Sequence, residues 1–213
     1  MSSRAFHSPQ EPSCESAGED ERRNPLAVLR ERTRTEHDAI ERSLDLTSLT
    51  LTRDAYQRTL ERFYGFYQPL ERDLCEVFGL AQGEAHLAHR EKTPWLAGDL
   101  LILRSEPQEL PLCGDLPALD GMSSALGCMY VLEGASLGGQ VISRHLRAHL
   151  GITPESGGRF FHAYGEETGA MWKAFGAVVR ALVTTPEDQD RAVEAAATTF
   201  RTLRRWCERD ETQ

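Results

Sequence analysis

The stretch YVLEGASLGGQVISRHL, Tyr130 to Leu146, places three glycines, Gly134, Gly138 and Gly139, inside a run whose flanks are patterned as a helix. An interior helical glycine costs about 1 kcal/mol relative to alanine, so the three together forfeit roughly 3 kcal/mol. Whole domains are stable by only about 5–15 kcal/mol, so the concession is large. On a helix, Gly127, Tyr130, Gly134, Gly138 and Val141 follow at steps of three and four and share one stripe. A stripe this bare admits a second body against the helix backbone. That body is either another helix, as GxxxG spacing allows, or a flat ligand over which the bare turns can bend. The adjacent pair Gly138–Gly139 favours a bend, but the stripe alone leaves both occupants open.

Outward from this stretch, the pattern is helical throughout. The glycine-bearing helix is expected from about Ser123 to Leu150, stopped by Gly151 and Pro154. Upstream, Asn24 offers a cap and Pro25 a first helical position. Leu26, Leu29, Thr33, His37, Ile40 and Leu44 then mark one face of a first helix. Thr52 precedes a long helical run through Tyr56, Leu60, Phe63, Tyr67, Leu70 and Leu74, and a short helix follows Pro94. The segments EPQELPLCGDLPALD and PESGGRFFHAYG are expected to be irregular connections. Helices resume over 166–184 and, after Pro186, from Glu187 to about Arg209. With no strand alternation and no repeat, the expected fold is an all-α bundle, a single domain over residues 24–210. Residues 1–23, rich in Ser, Pro, Glu and Gly, are expected to form a disordered tail.

Composition narrows the function. The 213 residues carry a net charge of −9, which argues against nucleic acid as a partner and against a polybasic membrane anchor. Neither end carries an apolar run approaching the ~18–20 residues of a spanning helix. The N-terminus lacks a hydrophobic signal core, so a cytoplasmic location without membrane association is expected. Cys14, Cys75, Cys113, Cys128 and Cys207 are odd in number and scattered, with no CxxC pair. They read as reduced thiols rather than a zinc or disulfide framework.

His37 is the second chemical signal. On its helix it shares a face with Glu41, one turn on, a carboxylate able to accept the Nδ1 proton and leave Nε2 for a metal. Arg30 and Arg34 precede it on the same side, a setting that suits an anionic ligand. Taken singly, a satisfied core histidine and two chance surface arginines are the more ordinary account of these positions.

Together, LRERTRTEHDAIE (Leu29–Glu41) and YVLEGASLGGQV (Tyr130–Val141) resemble the haem oxygenase family, notably soluble bacterial members found alongside bacteriophytochromes. The resemblance covers nearly all of residues 25–210. It implies a haem oxygenase-like helical bundle in which haem, both substrate and cofactor, lies between a proximal histidine helix and a glycine-rich distal helix. The implied activity is oxidative opening of haem to biliverdin with release of iron and CO. It uses O2 and an external electron donor, such as a ferredoxin or reductase, with possible biliverdin delivery to a phytochrome. Residue by residue, His37 matches the iron ligand and Glu41 the carboxylate that orients it. Arg30, Arg34 and Lys173 match cations at the haem propionates. Gly134, Gly138 and Gly139 match the distal glycines, Tyr64 a tyrosine supporting the distal water network, and Tyr130 a tyrosine near the haem edge. Phe160, Phe161 and Trp172 fall where the family places apolar pocket residues. Two positions depart from the family pattern: Ala135 stands where many members carry an aspartate that organises proton-delivering waters, and Ala177 where they carry an arginine beyond the propionate lysine. Ring opening at the α carbon is the expectation. The alternative on the same fold is a non-catalytic haem carrier or sensor.

Overall fold

The computed structural model describes residues 24–80, 87 and 90–209, so the expected tail and Cys14 lie outside the described residues. Asn24 caps the first helix, its side chain accepting the Leu26 N–H at 3.2 Å with Pro25 in the first turn. The single first helix expected from the apolar face is two, α1 (Pro25–Arg32) and α2 (Arg34–Leu44). The break falls at Thr33 (φ −107°, ψ 5°), whose hydroxyl donates to the Leu29 carbonyl at 2.8 Å. That carbonyl also accepts the Thr33 N–H, and the competition loosens the turn.

The helix α3 (Arg53–Leu80) runs 28 residues and carries Pro69 within it. It is followed by α4 (Thr93–Ile102) and by α5 (Met122–Leu150), a 29-residue helix that passes unbroken through Gly134, Gly138 and Gly139. Gly151 ends it in the left-handed conformation, at φ 65°. The connection expected to be irregular contains a one-turn helix, α6 (Arg159–His162), and the chain closes with α7 (Thr168–Leu182) and α8 (Pro186–Cys207). The cap of α6 explains why it was not visible locally: Asp99 of α4 accepts the N–H groups of Arg159 and Phe160 at 2.9 and 2.8 Å, from 60 residues away. Among the described residues there is no strand.

The axle of the bundle is α5. Ala125, Leu126, Cys128 and Leu132 are fully buried, and α5 lies along α8, where Ala192 and Ala196 keep the surface low. Its length and mean hydropathy of 1.2 over an 18-residue window would also suit a bilayer span. However, 56% of that window is buried against other helices, as expected of a core helix. Both α2 and α5 pack on α8.

Candidate functional site

The glycines of α5 fall into two groups. A Cβ at Gly127 would lie 2.1 Å from the Ala192 carbonyl oxygen, and one at Gly139 would lie 2.7 Å from that of Phe161. Real side chains do not tolerate such distances, so these two glycines allow α8 and α6 to approach. A Cβ at Gly134 or Gly138 would meet no atom within 4 Å. The sequence grouped Gly139 with the distal glycines. Gly139 has a packing reason of its own against α6, whereas neighbouring Gly138 is open. Gly134, Leu137, Gly138 and Val141 form the stripe i, i+3, i+4, i+7, with Leu137 and Val141 39% and 53% exposed. Apolar side chains beside bare backbone make this a face suited to a flat apolar ligand.

His37 stands on α2, half exposed, with its ring edge-on to Phe200 of α8 at 5.6 Å. Its Nδ1 is 3.7 Å from a Glu41 oxygen and 3.6 Å from an Asp38 oxygen. Both are ion-pair rather than hydrogen-bond distances. The sequence identified Glu41 but not Asp38, because an i+1 neighbour does not share a helix face. Asp38 also lies 3.8 Å from Arg34, so it links that arginine to the histidine. His37, Asp38 and Glu41 present ligand atoms within 4.8 Å of one another.

Burial raises the pKa of the Tyr130 phenol, while Thr33 and the nearby Arg30 guanidinium oppose that rise. The Tyr130 ring meets that of Trp172 of α7 at 5.7 Å, and Lys173, the next residue, is exposed. Arg34 of α2 is 80% exposed, and Ala177 is exposed on α7 without a charge to offer. Phe160 and Phe161 are buried and pack with Phe63 as core.

Tyr64 is half-buried against the core. One turn on, Tyr67 is fully buried, its phenol pKa raised by burial first and then by Glu71, Cys207 and Glu133. Tyr67, which the sequence read only as core, is thus a buried phenol that feels the Glu133 carboxylate of α5. Also missed was a buried charge cluster next to Gly134. Glu133, 1% exposed, pairs with Lys92 at 2.5 Å and Arg90 at 2.7 Å, and Tyr164 donates its hydroxyl to the same carboxylate at 2.9 Å. Its partners stand 31 to 43 residues away, so no local pattern announces it.

The residues present suit a haem: a half-exposed histidine packed edge-on to Phe200 of α8, an apolar and glycine-lined face on α5, and exposed cations in Arg34 and Lys173. A family model for heme oxygenase matches residues 24–209. No curated protein matches the sequence significantly. Among solved structures, the chain is similar to the NO- and CO-bound heme oxygenase from Neisseria meningitidis, with 21% identity and a TM-score of 0.72, covering 89% of this chain and 95% of that one. It is similar also to the heme oxygenase from Leptospira interrogans, with 17% identity and a TM-score of 0.68, covering 86% and 98%. At such identities these structures speak for the fold, and the family model spans every described residue. By that match the chain belongs to the haem oxygenase family.

Proposed function

We propose that this chain opens haem to biliverdin with release of iron and CO, in one catalytic domain spanning residues 24–210. Haem is the substrate by family membership, and the chain is a haem-degrading enzyme. The observation that carries this reading to the chain's own residues is the contrast within α5. Gly127 and Gly139 are needed for packing, whereas Gly134 and Gly138 have no packing reason and face open space beside Leu137 and Val141.

His37 holds the iron, and Glu41 and Asp38 lie within reach of the Nδ1 side of its ring to orient it. Arg30, Arg34 and Lys173 receive the propionates through charge-assisted bonds. Tyr130 and Trp172 form the wall at that edge. Bound haem supplies the iron at which O2 is reduced, with electrons from an external donor such as a ferredoxin or reductase. The protein's part is to keep the distal side narrow with bare backbone. Because Ala135 offers no acid, protons travel through water held by distal carbonyls, with Tyr64 and Tyr67 of α3 as supports. Gly139 continues the bare backbone next to Gly138 while also admitting the Phe161 carbonyl of α6. The anchoring cations favour opening at the α carbon. A cytoplasmic setting and a phytochrome as recipient of the biliverdin complete the proposal.

The test is to add haemin to the purified chain, then ascorbate, and identify the pigment. The parent should bind one haemin with a histidine-ligated spectrum and yield biliverdin, and His37→Ala should abolish that ligation. If the variant's ferric spectrum matches the parent's, His37 is not the ligand. Ala135 favours a second reading, a haem carrier or sensor; in that case the Soret band would persist under reductant.

A further inference from the structure

Behind the open stripe, Glu133, Ser136 and Gln140 recur at i, i+3 and i+7, about a third of a turn around α5 from Gly134 and Gly138. This side is held by directional bonds to two other parts of the chain. Both Glu133 oxygens are occupied, one by Arg90 and the other by Lys92 and Tyr164. Gln140 donates to the His162 carbonyl at 2.9 Å and to the Thr168 hydroxyl at 3.2 Å. Between them, Gly139 admits the Phe161 carbonyl, and Ser136 Oγ is buried without a partner among the described residues. The segment that receives these bonds is itself pinned to α4 by Asp99. Arg90 continues to the Met171 carbonyl at 3.1 Å, two residues before Lys173.

Such a cluster does little for net stability. Three buried charged side chains lose their hydration, and well-packed apolar replacements are often as stable or more so. Geometry is what it provides. An apolar helix face tolerates small rotations, but a carboxylate bonded by three donors from two segments does not, because its bonds are short and directional. Glu133 is adjacent to Gly134, so any rotation of α5 that breaks this cluster also re-aims the glycines.

We propose that Glu133 is a positioning residue for the haem-facing glycines, holding α5 at the rotation that aims Gly134 and Gly138 into the site, with Gln140 as its second anchor. The proposal rests on the functional reading above, in which those glycines face haem.

The experiment compares haemin complexes of the parent, Glu133→Gln, Glu133→Asp and Gln140→Met. The readouts are the ferric spectrum, azide affinity, biliverdin isomer distribution and melting temperature. Glu133→Gln should keep the histidine-ligated spectrum, change azide affinity by at least about fivefold and give a mixture of isomers. Glu133→Asp, which keeps the charge, should recover part of both. If melting temperatures fall while azide affinity and isomer ratio stay at parent values, the role is structural and the proposal is overturned. Glu133→Gln strands two buried cations and could fail to fold. In that event Gln140→Met, which is neutral and close in volume, decides: a shifted azide affinity supports positioning and an unchanged one overturns it. A parent that binds haemin without degrading it would refute the catalytic reading while azide affinity still tests the positioning. A parent that binds no haemin would refute both.

Discussion

The two groups of glycines on α5 look alike in sequence and differ in every physical respect. Gly127 and Gly139 are buried where a neighbouring backbone carbonyl occupies the space a Cβ would need. Gly134 and Gly138 sit among apolar side chains with nothing against them. The first pair is required by the fold of the apo chain. The second pair weakens the helix and gives the apo chain nothing in return. A helix interior that gives up stability without a packing gain points to an occupant outside the chain, and that difference separates site from scaffold here.

Substitution at Gly127 should produce the largest effect. In Gly127→Ala the new methyl would sit 2.1 Å from the Ala192 oxygen and 2.9 Å from its carbon. Both atoms are backbone within α8, so α5 and α8 must separate along the principal contact of the bundle. Overpacking of this kind typically costs about 1–3 kcal/mol and occasionally more, and the upper end applies because no flexible side chain can yield. At about 2–4 °C per kcal/mol for a chain of this size, a loss of 3 kcal/mol lowers the melting temperature by roughly 6–12 °C. An unchanged melt would remove Gly127 from the packing group and with it the basis of the contrast.

Next is Gly138→Leu, where the contrast predicts a split between stability and activity. Leucine is a far better helix former than glycine, and its Cβ meets no atom within 4 Å, so the apo melt should hold or rise slightly. The side chain would instead occupy the distal face. Turnover with haemin and reductant should fall at least about tenfold, which corresponds to 1.4 kcal/mol, while the histidine-ligated spectrum persists. Parent-level turnover in a folded Gly138→Leu protein would show that haem does not lie against this stripe.

The same contrast marks how far the sequence could be read. Helix existence and most boundaries were legible, because apolar spacing, the Asn24 cap, Pro186 and the stop at Gly151 are local signals. The break at Thr33 was not, since it depends on one hydroxyl choosing its own turn's carbonyl. The short helix Arg159–His162 was hidden for the opposite reason: its cap, Asp99, is remote in sequence. At the site, His37, Glu41 and the glycine spacing were visible as motifs. The sorting of Gly139 away from Gly138 was not, because adjacent residues on a helix differ by 100° and only the neighbouring elements decide which direction is free. Asp38 was missed because an i+1 neighbour is not expected on the histidine's face, the Glu133 cluster because its partners are remote in sequence, and Tyr67 because a fully buried aromatic reads as core from its spacing alone.

Gly134→Ala should give the smallest effect and the most diagnostic one, because its sign differs between the two glycine groups. The position is mid-helix and a Cβ there meets nothing, so alanine should recover about 1 kcal/mol of helix propensity and raise the apo melting temperature by roughly 2–4 °C. A packing glycine cannot do this, since Gly127→Ala and Gly139→Ala both press a methyl into a carbonyl. If haem lies against the stripe, the same methyl crowds the ligand, and the gain should shrink or reverse when the melts are repeated with haemin bound. Ligand binding stabilises only in proportion to its affinity for the folded form, so a weakened haem complex offsets the helix gain. The decisive quantity is therefore the difference between apo and haemin-bound melts, parent against variant. An equal gain in both states would mean that nothing bound at the site touches Gly134, and the division of the α5 glycines would then rest on Gly138 alone.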